Sequence, residues 1–558
     1  MCGIWALFGL DTNSLTCICD NFAKISHRGP DAFKIEHDSR VKNSYLGFHR
    51  LSIVDSLCGM QPIRVFKYPL LYLLCNGEIY NCKRVKEEYN FEYSTKCDVE
   101  VLIHLYASQG LDSVCKNLDG VFAFCLLDME KKKILIGRDP YGVRPLFRLA
   151  TKDGQLAVCS ESKGLVGIAK ILKGDYVVEP FPPGTYEEYN LLDNGQVKFV
   201  RAKRFHEPGQ KPSFLPLVPW KDLSSKDIEG NIRKLFEAAI EKRLMADRRI
   251  GCLLSGGLDS SLVAALLVKY AKLYNFKYKV QSFSIGMEGS PDTLAARQVA
   301  DHIGTDHHEI IITEKDIKDV LDDVIYHLET FDITTVRASI GMYLLARYIQ
   351  KNTDTTVIFS GEGADELAQG YIYFKDAPNA FDGHTESLRL LKDIYLYDGL
   401  RADRTTSAFS LELRVPFLDL QFTNYYLSLD PSLRQPKDGV EKHLLRSSFD
   451  GTGLLPTNIL WREKEAFSDG VTSVKKSLFQ IIGEIVKDRV NDEELETVLE
   501  KYHHCPPKTK ESYYYRKVFE SHYDGCAEHF VPYFWMPKWV KGVTDPSARF
   551  ISHYKNKE

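Results

Sequence analysis

Residues 205–225, FHEPGQKPSFLPLVPWKDLSS, divide the chain into halves whose patterns demand different architectures. Prolines fix φ and remove backbone N–H donors, so this stretch favours neither helix nor central strand. Before it, short β-type segments dominate: CGIWALFG, YLGFHRLSIVD, LLYLLCNGEIY, VFAFCLLD and KKILIGRD, parted by Gly, Asp, Asn and Pro. The last two flank a short charged turn and read as a hairpin, while CDVEVLIHLYASQG has helical spacing and stops at a glycine. This half reads as layered α+β with antiparallel sheets.

After the stretch, helical IEGNIRKLFEAAIEKRLM leads to apolar IGCLL, helical SLVAALLVKYAKLY, strand-like VQSFSIG, helical DTLAARQVADHIG and strand-like HHEIIIT. Strands alternating with helices of this length imply an α/β doubly wound parallel sheet, whose ligands bind at the carboxyl ends of strands. From about residue 370 the aromatic-rich helical segments give no clear strand pattern and read as helices covering that sheet. A chain of 558 residues also exceeds what one core supports. The expected domains are 2–205 and 226–558, with 206–225 as linker.

The 72 basic and 76 acidic side chains nearly cancel, which points to neither nucleic acid nor a membrane surface as the main partner. Thirteen cysteines without regular spacing suit reduced thiols better than a disulfide framework. The first apolar stretch has no basic residue before it and soon meets Asp11, unlike a secretory signal. No uncharged run reaches the roughly 18 apolar residues of a membrane span. A soluble cytosolic protein is expected. Cys17 with Cys19, and His307 with His308, lack the second ligand pair that a zinc site needs.

Chemistry concentrates in two loops of the second half. In GCLLSGGLDSSLVAA (251–265) a buried strand turns through Ser255, Gly256, Gly257, Leu258, Asp259 and Ser260 into a helix. Glycines let backbone N–H groups approach an anion, serines add donors, and the helix N-terminus adds positive potential. No lysine follows the glycines, and Asp259 would repel a phosphate unless a cation such as Mg²⁺ intervened. The alternative is a glycine-rich strand-to-helix turn capped by Asp or Ser. In TTVIFSGEGADELAQGY (355–371) a second apolar strand ends in Ser360, Gly361, Glu362, Gly363, Asp365 and Glu366. Those acids either hold the same Mg²⁺ or form a solvated turn.

The SGGLDSS loop resembles the pyrophosphate loop of the ATP pyrophosphatase superfamily, and together with SGEGADEL it resembles the asparagine synthetases. The amino-terminal Cys-Gly-Ile resembles class II glutamine amidotransferases, in which loss of Met1 makes Cys2 the first residue. A free α-amine, with a pKa near about 8, can accept the thiol proton without a histidine. SHRGPDA (26–32) and GRDPYGVRPLF (137–147) match amidotransferase segments as well. FDITTVRASIGMYL, RVPFLD, WREKEAFSDG and TDPSARF extend the resemblance to animal glutamine-hydrolysing synthetases over the whole length.

The resemblance implies an Ntn-hydrolase αββα sandwich followed by the ATP-binding domain, and ATP-dependent amidation of aspartate with ammonia from glutamine. Cys2 would be the nucleophile. Asn76 and Gly77, in LCNGEIYN (74–81), would form the oxyanion hole. Arg50 in FHRLSIVD (48–55) would bind the α-carboxylate, Glu78 and Asp98 the α-ammonium, and the backbone of Leu51, Ile53 and Val54 would line the glutamine site. Asn-Gly alone also reads as a hairpin turn, and Arg50 as a surface charge. In the second domain Leu253, Ser255, Gly256, Gly257, Asp259, Ser260, Ile285, Ser360 and Gly361 would contact ATP, and Asp259 and Asp365 would hold Mg²⁺. Glu362 would assist formation of the acyl-adenylate, and Lys464 would offset phosphate charge. Thr335 and Arg337 are candidates for aspartate, on a segment, ETFDITTVRAS, that reads as mobile. The implied assembly is a homodimer. The rival readings are a related amidotransferase with another carboxylate acceptor, and a catalytically silent regulatory protein.

Overall fold

The computed structural model describes residues 1–10, 14–172, 175–464, 476–496 and 498–540. Asp11, the EAFSDG part of WREKEAFSDG and TDPSARF lie outside the described residues. The chain forms two compact units, one of residues 1–215 with 245–248 and 407–411, the other comprising the remaining residues from 216 onward. The division falls inside the expected linker. The two short segments taken into the first unit carry no local sign of it, because long-range hydrogen bonds place them there. Asp247 N–H donates to Ile53 O at 2.8 Å, and Ser410 Oγ donates to His27 O at 2.7 Å.

Among the described residues the first unit has twelve strands: β1 (Gly3–Phe8), β2 (Ala32–Glu36), β3 (Ser44–Arg50), β4 (Ile63–Val65), β5 (Tyr68–Ile79), β6 (Gly120–Asp128), β7 (Lys133–Arg138), β8 (Phe147–Thr151), β9 (Leu156–Cys159), β10 (Tyr176–Pro180), β11 (Thr185–Leu191) and β12 (Val197–Arg204). They make two antiparallel sheets, ordered β10-β8-β9-β1-β3-β2 and β12-β11-β7-β6-β5-β4. Side-chain alternation assigns the faces. Ile4, Ala6 and Phe8 of β1 share one apolar core with Tyr72 and Leu74 of β5 and Ala123, Cys125 and Leu127 of β6. The intervening Leu71, Leu73, Phe122, Phe124 and Leu126 pack instead with Leu102, Ile103 and Leu105 of helix Val101–Gln109. On the outer side of the other sheet, Trp5 meets Phe22 of helix Leu15–Ala23 and donates to Gly164 O at 2.9 Å. The layers run helix, sheet, sheet, helix, as expected.

Two local readings change. YLGFHRLSIVD is a strand only to Arg50, and Leu51–Asp55 is loop. Asn76-Gly77 is no turn: both lie within β5, opposite Ala123 and Phe122 of β6. The hairpin of β6 and β7 is present as read.

Among its described residues the second unit holds five parallel strands, β13 (Arg249–Leu253), β14 (Gln281–Gly286), β15 (Asp306–Ile311), β16 (Thr355–Phe359) and β17 (Glu412–Arg414), ordered β15-β14-β13-β16-β17. The chain builds outward from β13 through β14 to β15, then crosses to the opposite side of β13 with β16. That reversal creates a crevice beyond the carboxyl ends of β13 and β16, where open α/β sheets bind ligands. Three-residue β17 was not legible in the sequence. Helix Leu258–Leu273 buries Leu262, Val263, Leu266 and Leu267 completely, each contributing about 1.5–3 kcal/mol of transfer free energy. Among the described residues no helix is long and apolar enough to cross a membrane.

The segment read as mobile is the buried start of helix Ile333–Asn352. Fully buried Asp332 caps it, accepting from Thr335 N at 2.9 Å and Thr335 Oγ1 at 2.8 Å, and its second oxygen accepts from Trp535 N at 2.8 Å. Periodicity does not reveal an anchor 203 residues away. Replacing Asp332 by Ala removes a cap and strands the Trp535 donor, at an expected cost of about 1–3 kcal/mol. The check is a lower urea midpoint together with faster amide exchange at Thr335 and Trp535.

Candidate active sites

In the first unit Cys2 stands one residue ahead of β1, and its Sγ lies 3.4 Å from both Leu51 N and Leu51 O. Arg28 Nε donates to Cys2 O at 3.0 Å, and Arg28 Nη1 is paired with Glu161 at 2.6 Å, so the strand entry is fixed by a buried charge pair. Asn76 is buried, and its Nδ2 has no hydrogen-bond partner. Such an orphaned donor is costly unless a ligand uses it. Gly77 is required by packing, since a Cβ there would lie 2.5 Å from Val121 O.

Arg50 Nη1 donates to Ser56 O at 3.3 Å and Nη2 to Asp55 O, with Gly59 so close that a Cβ would lie 2.5 Å from Nη2. Leu51 and Ile53 are buried beside it, Val54 less so. Glu78 and Asp98 are buried at the carboxyl end of β5, next to Asn76 and Gly77, where Asp98 accepts from Ile79 N at 2.5 Å. Burial pushes the Cys75 thiol well up, and Asp98, Cys2 and Glu78 push it further. Met1 is fully buried, with its N-terminal amine donating to Leu411 O at 3.3 Å and its sulfur 2.7 Å from Arg144 Nη1. Arg28 and Arg144, inside quoted motifs, were not singled out from sequence.

In the second unit the SGGLDSS turn lies at the end of β13. Ser260 Oγ accepts from Ser255 N at 3.1 Å and lies 3.0 Å from Ser255 Oγ, folding the loop around the N-terminus of helix Leu258–Leu273. Gly361 at the end of β16 packs against the same turn, where a Cβ would lie 2.9 Å from Asp259 Cβ. Leu253, Ser255, Gly257, Asp259, Ser260, Ile285, Ser360, Gly361, Glu362, Asp365 and Lys464 all line one cavity there. Gly256 does not. It sits behind the loop with φ +74°, and a Cβ would lie 2.5 Å from Ala296 N.

With both sites in view, family models match as a glutamine amidotransferase domain over residues 1–197 and as asparagine synthase over 231–384 and 382–542. Curated relatives named "Asparagine synthetase [glutamine-hydrolyzing]" match over the whole chain. The Gallus gallus protein is 56% identical over 560 residues, the Homo sapiens protein 55% over 562 and the Bos taurus protein 54% over 561. Each alignment covers 100% of this chain and 99% of the relative. The chain belongs to the asparagine synthetases.

The synthetase cavity is strongly charged. Lys442 Nζ lies 2.5 Å from Asp259 Oδ2 and 2.5 Å from Asp365 Oδ1, while Lys464 lies 2.7 Å from Asp365 Oδ2. Burial acts to raise the Asp365 pKa, but the two lysines outweigh it and hold the carboxyl well below the usual range. Burial alone would lower the Lys464 pKa, and Asp365 with Asp259 reverses that. Glu362 behaves oppositely. Burial pushes its pKa up to about 7, with Asp398 and Asp365 adding to the effect and Arg401, at 2.7 Å, opposing it. Asp259 Oδ1 is buried without a hydrogen-bond partner. Among the described residues no three His, Cys, Asp or Glu side chains form a metal cluster. A carboxylate pair with a free lone pair fits Mg²⁺, which keeps few protein ligands and shares substrate phosphates.

Thr335 and Arg337 lie outside the cavity lining. Thr335 is tied to Asp332, and Arg337 makes a buried two-pronged pair with Glu511 at 2.7 and 2.6 Å beneath the Phe479 ring. Neither presents a group to the cavity. Sequence reading missed Arg401, Lys442 and the Arg462–Asp292 pair, which all line it. Arg401, Lys442 and Asp292 come from segments without a motif, Arg462 comes from the quoted WREKEAFSDG stretch, and long-range packing brings them together.

The two loop glycines separate by a clear test. Gly256→Ala forces a side chain into the left-handed region, costing about 1–2 kcal/mol before any clash. Its thermal midpoint should fall by several degrees, whereas Gly257→Ala, whose Cβ would meet only Ser255 Oγ at 3.4 Å, should unfold like the parent.

Proposed function

We propose that the chain makes L-asparagine from L-aspartate, taking nitrogen from L-glutamine and energy from ATP, and releasing glutamate, AMP and pyrophosphate. The observation that carries this reading is the presence, in one synthetase chain, of a terminal thiol and an orphaned buried Asn76 amide in the first unit and of an SGGLDSS loop whose Asp259 shares Lys442 with Asp365 in the second.

In the first unit, removal of Met1 frees the Cys2 α-amine, which accepts the thiol proton as sulfur attacks the glutamine side-chain amide. Asn76 Nδ2, with the Gly77 N–H, stabilises the oxyanion. Arg50 holds the α-carboxylate, and Glu78 and Asp98 hold the α-ammonium. Collapse expels ammonia and leaves a thioester, which water hydrolyses to glutamate.

In the second unit, the serine hydroxyls and backbone N–H groups of the SGGLDSS loop position ATP, with Leu253, Ile285, Ser360 and Gly361 alongside. Mg²⁺ held by Asp259 and Asp365 would offset phosphate charge that repels an incoming carboxylate. Lys464 adds to that offset. The aspartate β-carboxylate attacks the α-phosphorus and pyrophosphate leaves, giving β-aspartyl-AMP. Ammonia then displaces AMP; beyond the help it is expected to give in forming the adenylate, an ionised Glu362 would accept a proton from the attacking nitrogen. Ammonia must travel sheltered from water, where most of it becomes ammonium. We place the enzyme in the cytosol, in keeping with thirteen free cysteines, and read it as the homodimer its family resemblance implies.

The deciding experiment supplies amide-¹⁵N glutamine, aspartate, ATP and Mg²⁺, and follows asparagine by mass spectrometry and AMP with pyrophosphate by phosphorus NMR. Labelled asparagine with both phosphorus products is expected, from a protein whose intact mass lacks Met1. Glutamate without asparagine would mean a different acceptor, and no turnover would favour the silent protein. Cys2→Ala should abolish glutamine use while sparing synthesis from ammonium salts, and Asn76→Ala should lower glutaminase kcat by roughly 10²–10³.

The raised Glu362 pKa adds a pH signature. A carboxyl titrating at about 7 is mostly protonated below that pH, so the ionised fraction grows as pH rises through it. Ammonia-dependent synthesis, corrected for free NH₃, should climb through pH about 7 in the parent. In Glu362→Gln the synthesis rate should be low and flat.

A further inference from the structure

Lys442 stands between the two carboxylates assigned to the cation, 2.5 Å from each, and its side chain is 2% exposed. Three features hold it there. Its backbone is left-handed, φ 56°, at the N-cap of helix His443–Phe449, a conformation that costs a side-chain-bearing residue about 1–2 kcal/mol. Gly370 leaves the room its chain needs, since a Cβ there would lie 1.9 Å from Lys442 Cε and 2.1 Å from Asp365 Oδ1. Lys464 occupies the other oxygen of Asp365, so two ammonium groups balance two carboxylates.

A free divalent cation approaching this quartet meets two positive charges and must shed tightly held water. A cation arriving with nucleotide brings phosphates onto which the ammonium groups can transfer. Resting on the reading that Asp259 and Asp365 hold Mg²⁺, we propose that Lys442 is a positioning residue whose ammonium keeps the cation place between them, so that Mg²⁺ enters only together with ATP. When it enters, the lysine exchanges a carboxylate partner for a phosphate partner and no covalent bond changes.

The test uses the full chain and Mn²⁺ as the probe, following the free-ion EPR signal with and without ATP. Without nucleotide the parent should leave Mn²⁺ free. Lys442→Met should bind one equivalent at least roughly tenfold more tightly, the scale of removing one like charge from the site. Lys442→Gln, which removes the ammonium charge but leaves both carboxylates and Gly370 untouched, should shift affinity in the same direction and serves if Lys442→Met fails to fold. Asp259→Asn should abolish the new site. Parent and Lys442→Met binding Mn²⁺ alike without ATP, or neither variant binding it, would overturn the proposal, and Asp259-dependent Mn²⁺ binding with ATP would still support the metal reading. Mn²⁺ binding with ATP that ignores both Asp259→Asn and Asp365→Asn would sink that reading, and the proposal with it.

Discussion

Charge compensation in the second unit sets the terms for everything around it. Asp259 and Asp365 sit at the carboxyl ends of neighbouring strands, β13 and β16, drawn together by the strand order. Two carboxylates so placed in a shielded crevice repel each other unless cations intervene, and losing one partner of a buried pair costs about 3–5 kcal/mol. Lys442 and Lys464 supply those cations. Both come from chain that folds back over the crevice after the sheet is complete, so the helical cover carries chemistry as well as shielding the core.

The same crevice separates the behaviour of its acids. Asp365 is paired twice and stays ionised, whereas Glu362, with one guanidinium and two acidic neighbours, is poised near neutrality. Environments that push the pKa values of adjacent carboxyls apart let one group hold charge while another moves a proton. In the first unit the device is different. Strand β5, paired at that point with β6, fixes the orphaned Asn76 amide, the residue after β3 in the other sheet supplies Leu51 beside Cys2, and the buried Arg28–Glu161 pair fixes the entry to β1.

Much of this was legible in order along the chain. Period-two alternation in VFAFCLLD and KKILIGRD produced a hairpin, and the strand-turn-helix around SGGLDSS produced the loop expected. Eleven residues proposed for the synthetase site line one cavity. Where reading failed, the cause was remote contact. ETFDITTVRAS looked unanchored because its cap partner, Trp535, lies near the end of the described chain. Arg337 looked available because Glu511, which pairs with it, gives no local sign. Asn76-Gly77 could be a turn or a strand position until its pairing with β6 settled the matter.

The sequence by itself determined the two architectures, their junction, the thiol, the glycine-rich loop and the acids after β16. Each is encoded in neighbouring residues, through periodicity, proline and glycine stereochemistry, or strand-to-helix turns. Only the tertiary structure decided which charges face one another: that Lys442 bridges two aspartates, that Arg401 meets Glu362, and that residues 245–248 and 407–411 pack with the first unit. The physical reason is that charge pairing depends on distance through space. Residues 183 positions apart, such as Lys442 and Asp259, have no correlation along the chain until the sheet order sets that distance.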